Sequence, residues 1–223
     1  MRFIVSSSLL SKNLSALSGV LNTSNTLPIL DDFLFELKDS TLMITASDLE
    51  TTMTVTIPLD KAEDPGAVTI PAKILIDTLK TFADIPVQFT INKETLGVEI
   101  SAGEGKYKLS GHKSDEFPVA PELEGTSVVT IDSELLVNAV NKTLFAAGND
   151  ELRPVMSGVF FELTPDDITC VATDAHKLVR YKRTDFSASE SASYIMPKKP
   201  LNQLKSILSA IEGDVSIEYN QTN

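Results

Sequence analysis

The sequence has little of the chemistry that most enzymes and metal proteins use. Its 223 residues include one cysteine, two histidines and no tryptophan. A single cysteine, Cys170, excludes an intrachain disulfide, and its apolar neighbours favour a small core residue over a nucleophile. So few sulfur and imidazole ligands argue against a structural zinc site. We therefore expect neither a metal nor any other cofactor.

Long apolar runs are missing as well. No apolar segment is long enough to span a bilayer. Residues 1–6 hold one charge and a short apolar triplet, without the apolar core of about 7–15 residues that a secretion signal needs. These absences lead us to expect a cytoplasmic protein with no membrane partner.

Positive charge is scarce, since 19 Lys and Arg stand against 31 Asp and Glu and give a formal net charge of −12. Such an acidic chain is not expected to coat nucleic acid through bulk charge. Basic residues gathered on one face could still contact phosphates. The positions of the lysines are therefore more informative than their number.

The chain contains a tandem repeat with an offset of 126 residues. The offset places Pro154 on Pro28, Phe161 on Phe35 and Asp174 on Asp48, and it extends without a gap from residue 9 to residue 91, where Ile217 falls on Ile91. A repeat of this length indicates one structural unit used twice. Two complete copies would exceed 223 residues, so the last strands of the second copy are missing. We expect a fragment, or an outside element that completes the sheet.

Hydrophobic periodicity predicts two α+β domains, residues 1–125 and 126–223, each built from βαβββ units. The predicted helices are 8–20, capped by Ser8, then 73–82, 133–146 and 198–211. Two of the predicted strands, 29–37 and 155–163, begin beside prolines. Residues 115–125 are interpreted as a linker.

Lysines recur on the polar faces of these helices. Lys73 and Lys80 share a face with Asp77, and Lys198 and Lys205 repeat the spacing in the matching helix. Lys12 and Lys142 lie on the other two helices. If the helices stack side by side, these faces would form a basic surface that meets phosphates without reading sequence. The alternative is an ordinary solvated helix face, which the residues alone favour.

Asp174 and His176 invite an enzymatic interpretation, because the two lie near a strand end and could share a face as the orienting acid and the base of a hydrolase. No Gly-x-Ser-x-Gly, glycine-rich phosphate loop or metal-ligand spacing accompanies them. Asp48 and Glu50 take their places in the first repeat. A repeated aspartate favours a role in a turn, so the hydrolase is kept only as the alternative.

The same segment could instead border a groove for a peptide. Met156 and Leu178 would line such a groove beside the strand-end loop. The alternative is that both side chains belong to the core, and the residues alone favour that simpler interpretation.

Four segments resemble the beta subunit of bacterial DNA polymerase III, the sliding clamp. They are residues 27–30 (LPIL), 42–50 (LMITASDLE), 68–73 (VTIPAK) and, above all, 171–178 (VATDAHKL). The resemblance covers the whole sequence, which corresponds to the family's first domain and most of its second. It implies a DNA-clamp fold, with helices on one side and antiparallel sheets on the other, and a third domain that lies outside this sequence.

The resemblance implies a non-catalytic processivity subunit of a DNA-directed DNA polymerase. Two full-length subunits would join head to tail as a homodimeric ring around double-stranded DNA. The lysines that would face the DNA are Lys12, Lys73, Lys80, Lys142, Lys198, Lys199 and Lys205. Ser24 and the pair Asn149 and Asp150 depart from the basic or polar contacts often seen in the family, so DNA contact there is left open.

The resemblance also implies a pocket for short peptides of the DNA polymerase III catalytic subunit, the clamp loader and other proteins with a clamp-binding motif, including repair proteins. The matching positions are Met156, Thr173, Ala175, His176, Lys177 and Leu178. Ala175 stands where glycine is common and keeps the site small. Lys177 stands where arginine is common and lacks its bidentate fork. Ile74, Thr78, Tyr107 and Leu109 match the side that joins the partner's third domain, so residues 1–223 alone are not expected to close a ring.

Overall fold

The computed structural model describes residues 1–22, 25, 27–121, 123–150 and 152–220. The chain divides into two compact units, unit 1 (Met1–Ala120) and unit 2 (Pro121–Asn223). The division falls inside the 115–125 segment that the sequence analysis interprets as a linker. Ser24 lies outside the described residues.

Unit 1 contains nine strands and two α-helices within the described residues. In chain order they are β1 (Arg2–Ser6), α1 (Ser7–Leu17), a 3-10 helix (Pro28–Asp31), β2 (Asp32–Lys38), β3 (Thr41–Ser47), β4 (Thr52–Pro58), β5 (Lys61–Glu63), β6 (Gly66–Pro71), α2 (Ala72–Leu79), β7 (Pro86–Ile91), β8 (Gly97–Ala102), β9 (Gly105–Ser110) and a 3-10 helix (Ser114–Glu116).

These strands form two antiparallel sheets, one in the order β5-β1-β7-β8-β9 and one in the order β4-β3-β2-β6. Alternating side chains of the two sheets meet in one core, where Phe89 of β7 stacks on Phe3 of β1 at 4.9 Å and on Phe35 of β2 at 6.3 Å between ring centroids. Helices α1 and α2 contact each other and cover this core. Leu10, Leu14 and the equally buried Leu17 provide the apolar stripe of α1.

Unit 2 contains six strands and two α-helices within the described residues. They are β10 (Ser127–Asp132), α3 (Ser133–Thr143), 3-10 helices at Leu144–Ala146 and Pro154–Met156, β11 (Gly158–Leu163), β12 (Ile168–Thr173), β13 (Leu178–Arg183), β14 (Ala192–Pro197), α4 (Lys198–Leu208) and β15 (Asp214–Tyr219). The sheets have the orders β13-β12-β11-β14 and β10-β15, and α3 packs against α4.

Strand pairing in the four-stranded sheets follows the 126-residue repeat. Phe35 of β2 faces Ile44 of β3, and Phe161 of β11 faces Cys170 of β12, in both cases 126 residues later. Because register decides which side chains reach the core, the repeat is structural as well as sequential. The prediction of a tandem repeat is confirmed for these sheets.

The last strand departs from that offset. Phe3 faces Phe89 in unit 1, and Val129, which corresponds to Phe3, faces Ile217 in unit 2. Ile217 therefore corresponds to Phe89, and its predicted alignment with Ile91 is wrong. The physical reason is that α4 has 11 residues and α2 has 8, so the longer helix displaces the strand that follows.

Other element boundaries also differ from the prediction. Helix α1 is capped by Ser6, whose Oγ accepts from the backbone N–H of Leu9 at 3.3 Å, while Ser8 lies inside the first turn and donates to Asp84. The predicted strands 29–37 and 155–163 both begin as 3-10 helices, because Pro28 and Pro154 occupy a first helical position that suits their fixed φ.

All four helices end earlier than predicted, at Leu17, Leu79, Thr143 and Leu208. Their last predicted residues form tighter turns instead, such as the 3-10 helix after α3. Strand β5 was not predicted, because three residues are too short to show a period of two.

Candidate nucleic-acid and peptide interfaces

In unit 1, the candidate DNA-facing lysines occupy exposed positions of α1 and α2. Lys12 lies on α1, Lys73 in the first turn of α2, and Lys80 immediately after α2. Lys73 and Lys80 border a groove of about 720 Å³, whose other lining residues are Ser18, Leu21, Asn22, Asp31, Ile76 and Asp77. Lys80 Nζ lies 3.8 Å from Asp77 Oδ1. The groove therefore mixes ammonium and carboxylate groups, and its positive character is moderate.

In unit 2, the four candidate lysines fall into two groups. Lys142 on α3 and Lys205 on α4 are exposed, whereas Lys198 and Lys199 at the start of α4 are half-buried. The ammonium of Lys198 donates to Asn149 Oδ1 at 2.8 Å and to the carbonyl of Ala147 at 3.3 Å. Lys198 is thus engaged inside the unit, unlike the exposed Lys205 on the same helix.

The loop around Asp150 is held by its own residues. Asp150 Oδ2 accepts from Arg153 Nε at 2.7 Å, and Oδ1 accepts from the backbone N–H of Leu152 at 2.9 Å. These hydrogen bonds, with Arg153 the largest contributor, hold the pKa of the Asp150 carboxyl below its usual range. The negative charge that the sequence places here is therefore paired locally with a guanidinium.

Asp174 organises the turn between β12 and β13. Its Oδ1 accepts from the backbone N–H groups of His176 at 3.0 Å and Lys177 at 2.9 Å, and its Oδ2 pairs with Lys177 Nζ. Thr173 Oγ1 donates to the carbonyl of Lys177 at 2.7 Å, and Ala175 has a φ of 74°. These four contacts close the turn on itself. The Lys177 ammonium, together with the two backbone N–H groups, lowers the pKa of Asp174.

The same turn occurs in unit 1. Asp48 Oδ1 accepts from the backbone N–H groups of Glu50 at 3.0 Å and Thr51 at 2.6 Å, and Leu49 has a φ of 76°. The turn is therefore an Asx-type structure that the repeat carries in both copies. The predicted turn role of the repeated aspartate is confirmed.

This geometry removes the basis for pairing Asp174 with His176 as acid and base. The carboxylate of Asp174 is occupied by three N–H donors, and the His176 contact that it makes is to the backbone, not to the imidazole. His176 itself is exposed. No group of three or more potential metal ligands occurs among the residues that the structure describes.

A candidate docking surface surrounds the Asp174 turn. We use this name for Met156, Thr173, Ala175, His176, Lys177 and Leu178. Met156 is half-buried, and its carbonyl accepts from the backbone N–H of Gly148 at 2.8 Å. Leu178 is 66% exposed. The prediction that both could be core residues fails for Leu178, which leaves its apolar side chain available at the surface.

More apolar side chains are exposed near the docking surface. Phe145, in the 3-10 helix that packs on β12, is 64% exposed, and Val155, next to Met156, is 67% exposed. Exposed apolar side chains on segments that border a turn are candidates for a binding surface. Neither residue was singled out from the sequence, because each lies within a segment that spacing assigns to a helix or a strand.

The four candidate dimer residues lie on α2 and on β9, the edge strand of the five-stranded sheet. Ile74 is 54% exposed and Tyr107 is 39% exposed, while Leu109 packs partly against the core. Tyr107 contacts Phe82, just after α2, with ring centroids 5.0 Å apart. The structure therefore brings the end of α2 and β9 together, and β9 has a neighbour on one side within the described residues.

No helix in the described part of the chain is long and apolar enough to cross a membrane. Sequence reasoning missed the contact between Lys198 and Asn149, because the two residues are far apart in the chain. It also missed the buried carboxylate of Asp32, which lies 2.6 Å from His112 Nδ1 and accepts from Thr69 Oγ1 at 2.9 Å.

Two family models match the chain. The description of one is DNA polymerase III beta subunit, N-terminal domain, over residues 1–121, and that of the other is its central domain, over residues 130–223. A Beta sliding clamp of Staphylococcus epidermidis is 30% identical in an alignment of 201 residues that covers 87% of this chain and 53% of the relative. The chain thus spans about half the length of the curated relatives it matches.

Solved structures show the same similarity. The DNA polymerase III subunit beta of Pseudomonas aeruginosa has a TM-score of 0.91 at 27% identity, over 97% of this chain and 59% of that one. The DNA polymerase sliding clamp of Bacillus subtilis has a TM-score of 0.91 at 25% identity, over 100% of this chain and 60% of that one.

Proposed function

The chain belongs to the DNA polymerase III beta subunit family, and from that premise we propose that it contributes to a ring that encircles double-stranded DNA and tethers the replicative polymerase. The family and the α+β clamp fold predicted from the sequence are both confirmed by the matches. Because the chain spans about half of its relatives, ring closure is proposed for the full-length protein as a homodimer, with a third domain. The domains proposed here are residues 1–125 and 126–223.

The single observation that carries the DNA proposal is the recurrence of exposed lysines on all four helices of an otherwise acidic chain. Lys12, Lys73, Lys80, Lys142 and Lys205 are exposed on or next to α1–α4. Ammonium groups on flexible stems suit phosphates as point charges and carry no sequence information. A net charge of −12 is compatible with this function, because a closed ring holds DNA by topology rather than by affinity. We propose Lys199, which is half-buried, as a further DNA-facing residue.

We also propose that the docking surface receives short peptides from the polymerase III catalytic subunit, the clamp loader and other proteins with a clamp-binding motif. Its support is the exposed Leu178 beside a turn whose hydrogen bonds are satisfied internally. A turn of this kind gives a rigid rim, which lowers the entropic cost of binding a peptide. Val155, next to Met156 in the chain, and Phe145 are further exposed apolar side chains that a peptide could contact. Ala175 leaves the rim of the turn small.

The proposed dimer contact uses α2 and the edge of β9. Ile74 offers an exposed apolar side chain, Thr78 lies one turn later on α2, and Tyr107 and Leu109 lie on β9. An edge strand with free backbone groups can pair with a strand of another subunit. The lysines of β9 sit beside Glu99, with Lys106 Nζ at 3.3 Å from its carboxylate.

A non-catalytic role is part of the proposal. The alternative, a hydrolase that uses Asp174 and His176, would need an imidazole oriented by the carboxylate and a nucleophile within hydrogen-bond reach. Asp174 instead completes a turn that unit 1 repeats with Glu50 in place of the histidine. Because the proposed function takes place on chromosomal DNA, we also propose a cytoplasmic location.

Primer extension tests the proposed function. The full-length protein is combined with its polymerase and clamp loader on a primed single-stranded circle, under conditions that allow one polymerase binding event. The account predicts much longer products than polymerase alone gives, and a Leu178→Asp variant that loses most of this increase. Products of equal length with and without the wild-type protein would contradict the proposal.

A further inference from the structure

Lys198 begins α4 on the helix face where the sequence predicts DNA contact, but its ammonium is directed into unit 2. It donates to Asn149 Oδ1 and to the carbonyl of Ala147. Its backbone N–H also donates to the carbonyl of Ser157 at 3.1 Å. One residue therefore joins the start of α4 to two separate loop segments, 147–149 and 157.

The segment 147–149 lies directly against the candidate docking surface. The backbone N–H of Gly148 donates to the carbonyl of Met156 at 2.8 Å. A Cβ added at Gly148 would stand 3.6 Å from Cβ of Asp174, so a single methyl group would fill the space between this segment and the Asp174 turn. Any movement of 147–149 would therefore change the surroundings of both Met156 and the turn.

Lys198 links this segment to α4. Its ammonium donates to Ala147 and Asn149, while the Gly148 hydrogen bond, a hydrogen bond from the backbone N–H of Ala147 to the carbonyl of Leu144 at 3.1 Å, and the buried side chain of Ala147 hold the segment from other sides. Hydrogen bonds from a charged donor are stronger than neutral ones. Loss of the ammonium would remove both hydrogen bonds to α4, so the Asn149 end of the segment would be held less firmly than the buried Ala147 end.

We propose that Lys198 is a positioning residue of the docking surface, which holds segment 147–149 as a preformed wall for an extended peptide with apolar side chains. This inference rests on the proposed peptide docking. It differs from the DNA-facing role expected from the sequence, because the ammonium is committed to Ala147 and Asn149. A preformed wall favours binding, since the peptide does not have to order the segment.

The test compares Lys198→Met with Lys182→Met in the full-length protein. Methionine keeps the aliphatic stem and removes the charge in both variants. Lys182 serves as the control, because its ammonium also has a side-chain partner, here the carboxylate of Asp167 at 2.7 Å, but it lies at the other end of β13 from Leu178. Thermal unfolding of each variant shows whether the unit is folded.

Two readouts are used. Hydrogen exchange of the Gly148 amide, followed by NMR, reports on the wall without any ligand. Fluorescence anisotropy of a labelled peptide copied from the C-terminal tail of the polymerase catalytic subunit gives the Kd. In Lys198→Met we expect faster exchange at Gly148 and a Kd raised about tenfold. In Lys182→Met both are expected to equal the wild type.

Asn149 provides a second, independent arm. Asn149→Asp keeps an acceptor for Lys198 and is expected to retain the wild-type Kd, whereas Asn149→Leu is expected to raise it. In the double variant Lys198→Met/Asn149→Leu, the two effects should not add, because both remove one contact. If the two changes in Kd add, or if Asn149→Asp raises the Kd, the contact between Lys198 and Asn149 is not the cause of the weaker binding.

The outcomes separate this inference from the proposed function. Equal Gly148 exchange in Lys198→Met and Lys182→Met would overturn the positioning role, and so would faster exchange with an unchanged Kd. A wild-type protein that does not bind the peptide at all would overturn peptide docking, and with it the role of Lys198 in docking. Faster Gly148 exchange with a raised Kd, confined to Lys198→Met, supports the inference.

Discussion

Asp174 has the same hydrogen-bonding role as Asp48, although 126 residues separate them in the chain. Each accepts from the backbone N–H groups two and three residues later, and in each turn the residue after the aspartate has a positive φ. The turn is thus a property of the repeat. In unit 2 it has acquired different surroundings, with exposed apolar groups at Leu178 and Val155.

The positive φ of Ala175, 74°, leads to a prediction about stability. Left-handed backbone is unfavourable for a residue with a Cβ, and glycine adopts it without that cost. Ala175→Gly is therefore expected to raise the free energy of unfolding by about 0.5–1 kcal/mol. Denaturant unfolding of the variant measures this.

A matched control for Ala175→Gly is Ala188→Gly, at a buried position where the structure records no positive φ. That substitution should destabilise, since it removes a buried methyl group and adds freedom to the unfolded chain. If Ala175→Gly also lowers the free energy of unfolding, the backbone strain assigned to Ala175 is wrong.

The buried carboxylate of Asp32 gives a second prediction. Asp32 is 2% exposed, accepts from Thr69 Oγ1 at 2.9 Å and lies 2.6 Å from His112 Nδ1. Asp32→Ala leaves the hydroxyl of the fully buried Thr69 without an acceptor, so we expect a loss of about 2–3 kcal/mol of unfolding free energy. The exposed Asp60→Ala serves as the control and is expected to change little.

His112→Ala should cost less than Asp32→Ala, because the side chain of His112 is largely exposed. A double-mutant cycle of the two substitutions measures their coupling. Strict additivity would show that the 2.6 Å contact contributes nothing to stability.

Asp64 gives a prediction about pH. Lys93 and then the Met1 ammonium, at 2.7 Å, donate to its carboxylate and lower its pKa from the usual 3.8 to about 2. Because the folded-state pKa is the lower one, the ion pairs stabilise the folded state fully above the unfolded pKa. This stabilisation is lost as pH falls from about 4 to about 2.

The measurement is unfolding free energy against pH for the wild type and for Asp64→Asn, a variant that cannot titrate at this site. The difference between the two curves is expected to shrink as pH falls through that window. A constant difference from pH 6 to pH 2 would contradict the assignment. Other carboxylates titrate in the same range, but they contribute equally to both curves.

If the docking surface binds a peptide, a substitution at Leu178 should change the Kd for the peptide but not the stability of the protein. Its side chain is 66% exposed, so Leu178→Ala is expected to leave the unfolding temperature nearly unchanged. Peptide binding should weaken by about 1–2 kcal/mol, which is roughly fivefold to thirtyfold in Kd. Ile211→Ala, at an exposed apolar position outside the docking surface, is the matched control. Equal Kd values for the two variants would place the peptide elsewhere.

Much of the fold was predictable because its signals are local or repeated. Leu10, Leu14 and Leu17 marked α1 by their spacing, and Phe161 and Asp174 matched Phe35 and Asp48 through the repeat. The features that the sequence did not reveal depend on distant contacts. Lys198 looked like any exposed lysine, and only folding brings it to Asn149.

Smaller errors had physical causes of the same kind. The shift of β15 arises from the extra length of α4, which apolar spacing alone does not measure. Pro28 and Pro154 each begin a 3-10 helix, at positions where the apolar pattern predicted the start of a strand. The exposure of Leu178 depends on which side of its turn is covered, and periodicity does not report it.

Retention on circular DNA tests the central claim most directly. The full-length protein is loaded by its clamp loader onto a nicked circular plasmid, separated from free protein by gel filtration in high salt, and analysed again after the plasmid is cut once. The account predicts that the protein stays with the circle, since a ring is held by topology when ionic contacts are screened, and that it is released when the DNA becomes linear. Equal retention on circular and linear DNA, or none on either, would contradict a ring around DNA.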